Sequence, residues 1–450
     1  MEQKKIIISG AGLVGSLLAV LLGKKGYKVT VIERRPDMRK VKISAGRSIN
    51  LAMSSRGWRA LDKAGVSEQV KQIAMPMYKR TMHDVNGNLS FQPYGLENQA
   101  IYSVSRALLN KILLDNADAD PDITFLFNRR LSEVNLEQKK ITIRNEEDDS
   151  ETEMDYDFLF GCDGAYSAVR HRLLFNEMFS YSQTYIDHGY KEFHMQPSEN
   201  GKHKMDVETL HIWPRGEFMM IALPNPDGTY TCTLFYPWKG KESFEQIRSD
   251  ADIQRLFQTH FPDLIPLIPD YIQQFHTNPT STLMYVKCGP WNYKNEVLLL
   301  GDAAHAIVPF YGQGMNAGFE DCRIFTELLD AHDWNFEACI PSFAQMQEKH
   351  GHAIADLAMR NFVEMRDLTA DPAFLLRKKI EKKMYEKYPQ DWIPLYSMVT
   401  FEEVPYHDAI IESQKQDKVM EQIMKISGLE DKWDSEEVLQ EVLRLKKAMY

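Results

Sequence analysis

The N-terminal stretch IIISGAGLVGSLLAVLLGKKGYKVTVIE, from Ile6 to Glu33, decides the fold. Its opening β-branched run is typical of a buried parallel strand, and residues 10–15 follow directly with the spacing G-x-G-x-x-G. The pattern then predicts a helix over residues 16–22 and a second strand over residues 27–32, which ends at Glu33. A strand, a glycine turn, a helix, a strand and an acid in this order are typical of a Rossmann βαβ unit.

Each glycine of this turn has its own mechanical reason. Gly10 makes the turn, Gly12 lets the backbone approach a pyrophosphate, and Gly15 lets helix and strand pack closely. Glu33 would accept hydrogen bonds from ribose hydroxyls. The alternative is a glycine-rich turn that has no ligand. The complete order of the elements favours an adenine dinucleotide.

Two later segments repeat the association of a strand with glycine and aspartate. They are FLFGCDG at residues 158–164 and VLLLGDAAHAIVPFYGQGMNAGFED at residues 297–321. In the second, an apolar strand ends at Gly301-Asp302, and another glycine turn precedes a helix expected from about Asn316. Such turns can hold an anion by backbone N–H groups, although glycines that serve only backbone geometry are the alternative. A sheet entered again at distant points indicates an extended ligand, and FAD fits this better than NAD.

Composition and charge narrow the class of protein. The 450 residues are 44% apolar and 26% charged, which predicts a globular chain of two or three domains. A net charge of −11 argues against nucleic-acid binding. Five scattered cysteines without a CxxC spacing predict neither a disulfide framework nor a zinc site. With no apolar run long enough to span a membrane, the sequence predicts a soluble protein of the reducing cytoplasm.

The middle and the end of the chain have different patterns. Residues 210–214, 218–223 and 229–236 predict an antiparallel sheet that could cover a substrate pocket, whereas the chain after residue 321 is largely helical. We expect an α/β fold in three regions. They are a discontinuous Rossmann-like FAD-binding domain of residues 1–75, 101–178 and 280–370, an antiparallel-sheet substrate domain of residues 76–100 and 179–279, and a helical C-terminal region of residues 371–450.

Isolated charged and polar residues give further hints. Arg106 begins a predicted helix, where a cation is unfavourable unless it meets an anion, so we expect it to contact a phosphate or a ring. Arg47 either faces a pyrophosphate or is solvated. The histidines, including His305, form neither a metal-ligand cluster nor a nucleophile triad in the sequence. This pattern indicates that a bound cofactor supplies the chemistry.

Three signals in this order resemble the single-component flavin-dependent aromatic hydroxylases: residues 10–15, Asp163-Gly164 and Gly301–His305. More specific blocks make the chain similar to the branch of that family that hydroxylates L-kynurenine. These blocks are GRSINLA at 46–52, YSVSR at 102–106, GCDGAYS at 161–167, HIWPR at 211–215, FMMIALPN at 218–225 and IPLY at 393–396. The resemblance extends from the N-terminus to about residue 410.

The resemblance implies conversion of L-kynurenine to 3-hydroxy-L-kynurenine with bound FAD, NADPH and O₂, through a flavin hydroperoxide. Because the chain has no second dinucleotide-binding unit, we expect NADPH to bind transiently. Beside Gly10, Gly12 and Gly15, the implied cofactor contacts are Val14, Glu33, Arg34, Arg35, Ala52, Arg106, Leu131, Asp302, Met315 and Asn316.

The resemblance also implies four residues for the amino-acid end of the substrate: Arg80, Tyr94, Asn361 and Tyr396. A guanidinium beside a phenol hydroxyl suits a carboxylate, and an amide and a second phenol would complete a polar end. Without the resemblance, each has an ordinary interpretation as a surface arginine, a turn tyrosine, a helix asparagine or a core tyrosine. Tyr311 stands where relatives vary and could alter the pocket.

Two other functions stay open at this point. A hydroxylase of another small aromatic acid, similar to anthranilate or salicylate, would share the FAD site and differ only in the polar residues. A non-catalytic protein that keeps the flavoprotein fold as a scaffold is disfavoured by the intact glycines and Glu33. Membrane-bound relatives carry a hydrophobic C-terminal anchor, whereas this tail is charged from about residue 407, so we expect no anchor.

Overall fold

The computed structural model describes residues 4–41, 50–365 and 371–449, so Arg47 lies outside the described residues. The strands are β1 Ile6–Ser9, β2 Val29–Ile32, β3 Asn50–Met53, β4 Ala74–Met77, β5 Lys79–His83, β6 Leu89–Pro93, β7 Ile101–Ser105, β8 Ile123–Leu126, β9 Arg129–Asn135, β10 Lys140–Asn145, β11 Glu151–Asp155, β12 Phe158–Gly161, β13 Ser180–Met195, β14 Thr209–Pro214, β15 Met219–Pro224, β16 Tyr230–Pro237, β17 Thr280–Gly289, β18 Asn292–Tyr293 and β19 Val297–Leu299.

The helices are α1 Leu13–Gly23, α2 Ser55–Ala64, α3 Ser67–Lys71, α4 Arg106–Asp118, α5 Ala168–Leu173, α6 Asp250–His260, α7 Tyr271–Thr277, α8 Asp302–His305, α9 Gly314–Ala331, α10 Phe336–Val363, α11 Pro372–Lys387, α12 Leu395–Thr400, α13 Tyr406–Ile423, α14 Leu429–Lys432 and α15 Glu436–Lys447. A short 3-10 turn covers Pro309–Tyr311. None of the described helices combines the length and the apolar character that crossing a bilayer would need.

The first sheet has the order β18-β19-β12-β1-β2-β8. β1 pairs in parallel with β2 and β12, and β12 pairs in parallel with β19. Because β1, β12 and β19 are neighbours that run in the same direction, the glycine turns that follow them meet at one edge of the sheet. The predicted Rossmann-like unit is confirmed, although α1 begins at Leu13, three residues earlier than predicted.

The second sheet has seven strands in the order β17-β13-β16-β15-β14-β5-β6. Its pairs are antiparallel except for β14 with β5, which are parallel. We call this sheet the roof sheet, and its surface that carries Arg80, Ile221 and Phe235 the front face. The opposite surface packs against α6 and α7, two helices that the sequence did not predict.

The predicted domain division separates β17 from the sheet in which it lies. β17 pairs with β13 of the roof sheet, whereas the division assigned residues from 280 onward to the cofactor-binding region. The reason is that β13 is 16 residues long and has room for partners on both edges. The division into three domains stays a prediction, with β17 on the roof side of the boundary.

One buried arginine helps to fix the C-terminal segment to the body of the molecule. Arg56 of α2 donates from Nη1 to the carboxylate of Glu320 over 2.6 Å and from Nε to the carbonyl of Val399 over 2.8 Å. Its Nη2 donates to the carbonyl of Val404, and the guanidinium lies 4.1 Å from the ring centroid of Tyr406. Breaking a buried pair of this kind costs about 3–5 kcal/mol. Arg56 therefore holds α12 and the start of α13 against α2 and α9.

Candidate functional site

The first glycine turn has two positions that are packed and one that is open. Gly10 adopts φ +101°, and a Cβ there would lie 2.5 Å from the carbonyl oxygen of Cys162. A Cβ on Gly15 would lie 1.9 Å from the carbonyl oxygen of Gly10, whereas a Cβ on Gly12 would meet nothing within 4 Å. The two outer glycines are therefore needed for the fold, and Gly12 leaves space beside its backbone. This space fits the pyrophosphate of a dinucleotide.

Glu33, at the end of β2, contacts the same turn. Its Oε2 accepts a hydrogen bond from the backbone N–H of Ala11 over 2.9 Å, and its Oε1 accepts from Nε of Arg35 over 2.8 Å. Burial opposes the charge, but the hydrogen bonds from Arg35 and Ala11 hold the pKa of Glu33 below its ordinary value. Glu33 is thus an ionised acceptor at the turn. Arg34 and Arg35 are both exposed next to it.

The third strand end contacts the first through Val14. A Cβ on Gly301, which has φ +60°, would lie 2.8 Å from a methyl group of Val14, and a Cβ on Gly318 would lie 2.6 Å from the same group. Val14 therefore packs between the turn after β19 and the beginning of α9. Asp302 follows at the start of α8 and is partly exposed. The structure brings residues 10–15 and Asp302 to one edge of the sheet.

A buried His–Asp pair supports this third turn. His305 Nε2 and Asp321 Oδ2 are 2.6 Å apart, and the backbone N–H of Gly301 donates to the same oxygen over 2.9 Å. Burial lowers the affinity of His305 for a proton, yet Asp321 holds its pKa above the ordinary value. The sequence pattern predicts no role for either residue. The glycine pattern describes the backbone of the turn, and it carries no signal for the carboxylate that holds it.

The side chain of Asn316 is fully occupied by the protein. Its Oδ1 accepts from the N–H of Ser54 over 2.9 Å, and its Nδ2 donates to the carbonyls of Ala52 and Gly312, each over 2.8 Å. Asn316 therefore fixes the second glycine turn to β3, and its backbone is the part left for a ligand. Met315 is buried beside it.

Two further predicted cofactor residues lie on other elements. Arg106 is exposed at the start of α4. One helical turn later, Asn110 Nδ2 donates to the carbonyl of Ala11 over 3.2 Å, so the face of α4 that carries Arg106 lies over the first glycine turn. Leu131 of β9 lines a pocket of about 440 Å³ with Tyr166 and Ser167, and the other predicted cofactor residues do not line that pocket.

Three of the four predicted substrate residues meet under the roof sheet. The guanidinium of Arg80 lies 4.8 Å from the ring centroid of Tyr94 and 4.7 Å from that of Tyr396. The two rings are stacked at 5.5 Å, and Tyr311 stacks on the far side of Tyr396, also at 5.5 Å. We call Arg80, Tyr94 and Tyr396 the clamp. Its residues come from β5, from the segment after β6 and from α12.

The clamp is a cationic site with a spare hydroxyl. Burial disfavours the charged form of Arg80, but the phenols of Tyr396 and Tyr94 hold the pKa of Arg80 above its ordinary value. Burial also raises the pKa values of the Tyr94 and Tyr396 hydroxyls, so both stay protonated. The hydroxyl of Tyr94 is buried; it interacts with Arg80 but makes no hydrogen bond of good geometry among the described residues. A cation next to an unsatisfied hydroxyl fits a ligand carboxylate.

Asn361 reaches the clamp indirectly. Its Nδ2 donates to the carbonyl of Phe310 over 2.7 Å, and the next residue along the chain is Tyr311, which stacks on Tyr396. The ring of Phe310 packs against Phe235 of the front face at 4.9 Å. The apolar wall between the clamp and the second glycine turn is thus built from aromatic rings.

Comparison with known proteins identifies the family. Residues 3–332 match the sequence profile of the family described as FAD binding domain. The chain is 47% identical to a kynurenine 3-monooxygenase of Christiangramia forsetii over 446 residues, which are 99% of each chain. It is 42% identical to a kynurenine 3-monooxygenase of Sus scrofa over 422 residues, 93% of this chain and 88% of the other.

The fold also occurs in solved structures of lower sequence identity. A 2-methyl-3-hydroxypyridine-5-carboxylic acid oxygenase superposes with a TM-score of 0.67 at 18% identity, covering 83% of this chain and 96% of the other. A p-nitrophenol 4-monooxygenase from Pseudomonas putida gives the same TM-score at 16% identity, covering 90% and 98%. These likenesses confirm the predicted α/β flavoprotein fold. The family profile and the full-length relatives show that the chain belongs to the FAD-dependent kynurenine 3-monooxygenase family.

Proposed function

We propose that this protein hydroxylates L-kynurenine to 3-hydroxy-L-kynurenine, with NADPH and O₂ as co-substrates. The observation that carries this proposal is the clamp, in which the buried Arg80 cation lies over the rings of Tyr94 and Tyr396, and the buried hydroxyl of Tyr94 makes no hydrogen bond of good geometry. Kynurenine has a carboxylate at one end and an aromatic amine at the other. The clamp binds the carboxylate, and the aromatic end then lies along the front face.

The protein's own part in the reaction is to bind, orient and exclude water. FAD, when bound, supplies the activation of O₂. Arg80, Tyr94 and Tyr396 fix the amino-acid end of the substrate, and Asn361 supports them through its hydrogen bond to the carbonyl of Phe310. Phe235 and Phe310 form part of the apolar wall, which keeps water from the reacting carbon. The aromatic amine activates that carbon, so no strong protein base is needed.

The residues around the three strand ends are the proposed cofactor site. The open space at Gly12 receives the pyrophosphate, and the carboxylate of Glu33, held by Ala11 and Arg35, has further lone pairs for the ribose hydroxyls. The full proposed set is Gly10, Gly12, Val14, Gly15, Glu33, Arg34, Arg35, Ala52, Arg106, Leu131, Asp302, Met315 and Asn316.

NADPH binds transiently. The five described cysteines are buried and unpaired, which supports a cytoplasmic location.

Product identification tests the proposal. The purified protein is incubated with NADPH, O₂ and L-kynurenine, and mass spectrometry should detect 3-hydroxy-L-kynurenine. A panel of aromatic acids is run in parallel for NADPH oxidation. Stimulation by an anthranilate-like or salicylate-like acid and none by L-kynurenine would replace the proposed substrate. A protein that shows no flavin absorbance even after FAD is added would instead be a scaffold without catalysis.

A further inference from the structure

The carboxyl group of Glu192 stands on the front face of the roof sheet. Its neighbours along β13, Lys191 and Phe193, point to the back, where Lys191 Nζ donates to the carbonyl of Phe275 over 2.8 Å and Phe193 packs against Phe257. Since side chains alternate along a strand, Glu192 points to the front.

Glu192 ends a row of side chains that begins beside the clamp. The row crosses five neighbouring strands through directly paired residues: Met82, Ile212, Ile221, Thr233 and Glu192. Met82 is two residues from Arg80 on β5. At the usual spacing of strands, Glu192 lies about 19 Å from the clamp end of the row. Its strand, β13, is separated from β5 of the clamp by β14, β15 and β16.

The Glu192 side chain has no strong partner in the described part of the chain. The residue is 5% exposed, and its Oε2 is buried without a hydrogen-bond partner. Burial raises the pKa of Glu192 to about 7, although the positive charge of Arg106 acts to lower this pKa. Tyr190 on the same strand is the other titratable group that interacts with Glu192. An isolated buried carboxyl is costly, so it indicates a site where a ligand completes the contacts.

Arg106 connects Glu192 with the cofactor edge. Asn50 pairs with Ser105, the residue before Arg106, and Asn50 Oδ1 accepts from the hydroxyl of Thr231 over 3.2 Å. Thr231 is two residues from Thr233, which pairs with Glu192. On its other side, Arg106 shares a face of α4 with Asn110, which bonds to Ala11 of the glycine turn. The segment that carries Arg106 therefore adjoins both the dinucleotide turn and the strands of Thr233 and Glu192, and the charge of Arg106 acts on the carboxyl of Glu192.

We propose that Glu192 is a further cofactor-positioning residue, which acts with Arg106 to set the charge beside the bound FAD. When Glu192 is ionised it offsets the positive charge of Arg106, and when it is protonated the charge of Arg106 is uncompensated. Reduced flavin carries more negative charge than oxidised flavin. An ionised Glu192 therefore makes FAD harder to reduce, and a protonated Glu192 makes it easier.

The test is the midpoint potential of the bound FAD between pH 6 and pH 9, for the wild type and for Glu192→Gln. Glutamine keeps the shape of the side chain and cannot ionise. At pH 6 the two proteins should have the same potential. As the pH rises through 7, the midpoint potential of the wild type should fall below that of the variant. The difference between the two potentials should then become constant at higher pH. Glu348→Gln is the matched control, because burial also raises the pKa of Glu348, which lies on α10 against Gly289.

Each outcome decides the proposal. A gap that is absent, or that is the same at every pH, would overturn it, since a purely structural change has no reason to follow one ionisation. A pH-dependent gap in Glu348→Gln would also overturn it. If Glu192→Gln does not retain FAD, Glu192→Asp is compared with the wild type: both must show a break in potential against pH, at different midpoints. The inference rests on the proposed cofactor site, in which Arg106 lies beside FAD, and the measurement uses no aromatic substrate, so it can fail or succeed independently of kynurenine hydroxylation.

Discussion

The side-chain amide of Asn361 donates a hydrogen bond to the backbone carbonyl of Phe310 over 2.7 Å. The bond joins α10 to the turn that carries Tyr311, so Asn361 shapes the clamp through Tyr311 and Tyr396. Asn361→Asp would place a carboxylate oxygen against that carbonyl. We expect the KM for L-kynurenine to rise at least tenfold, a loss of about 1.4 kcal/mol or more.

Steady-state kinetics checks this change, with Asn292→Asp as the control. Asn292 also donates to a backbone carbonyl, that of Lys294, but in an exposed hairpin. It should keep the wild-type KM. An unchanged KM in Asn361→Asp would show that the bond to Phe310 has no part in substrate binding.

Arg80→Met tests the clamp directly. Removing the guanidinium should raise the KM for L-kynurenine about a hundredfold, since charge-assisted bonds to a carboxylate contribute roughly 1.5–3 kcal/mol. The FAD content should stay the same, because the clamp and the glycine turns are separate. Lys79→Met is the neighbouring control: Lys79 pairs with Asp206, 2.9 Å away, on the opposite surface of β5. Loss of FAD from Arg80→Met would instead assign Arg80 to the cofactor or the fold.

Two substitutions in the first glycine turn should distinguish an effect on FAD binding from an effect on the stability of the fold. Gly12→Ala adds a methyl group to open space, so the apoprotein should unfold within about 1 kcal/mol of the wild type, while FAD binding weakens at least tenfold. Gly15→Ala places the methyl group against the carbonyl of Gly10 and should lower stability and FAD binding together. Urea unfolding of the apoproteins and titration with FAD measure the two effects. Equal FAD affinity in Gly12→Ala and the wild type would place the pyrophosphate elsewhere.

The His305–Asp321 pair predicts a pH dependence of stability. Since the pKa of His305 is raised on folding, the stabilisation is complete below the unfolded value of about 6.5. It declines as the pH rises through the higher native value. The difference in the free energy of unfolding between the wild type and His305→Asn should therefore be largest near pH 6 and shrink at alkaline pH.

The exposed pair of His276 with Asp250 is the control for that measurement. Its atoms are 2.8 Å apart, but both side chains are more than half exposed, at 58% and 67%. An exposed pair contributes at most about 1 kcal/mol, so His276→Asn should show a small difference at every pH. A difference for His305→Asn that grows with pH would contradict the assigned charge state.

The sequence predicted the cofactor edge better than the contacts that hold it. The spacing of Gly10, Gly12 and Gly15 is local, so it can be read from a short window of sequence. The bond from Asp321 to Gly301, and the three bonds of Asn316, depend on which segments meet in space, and no local pattern encodes them. The family resemblance supplied the residues of the clamp, and the structure supplied their stacking on Tyr311.

The parallel contact of β5 with β14 and the length of β13 were missed for the same reason. Pairing between distant strands is set by packing on both surfaces of a sheet, which a single strand does not specify. Glu192 was missed as well, because it stands within an ordinary strand pattern. Only its isolation on the front face distinguishes it.

The bonds of Arg56 to Val399 and Val404 have a consequence for synthesis of the chain on the ribosome. Arg80 and Tyr94 emerge early, whereas Tyr396 emerges near the end, just before the carbonyls of Val399 and Val404 that accept hydrogen bonds from Arg56. Until then the clamp lacks Tyr396, and Arg56 lacks two of its partners. A ribosome that stalls before residue 396 therefore leaves a chain with an incomplete clamp, even if its first βαβ unit has folded.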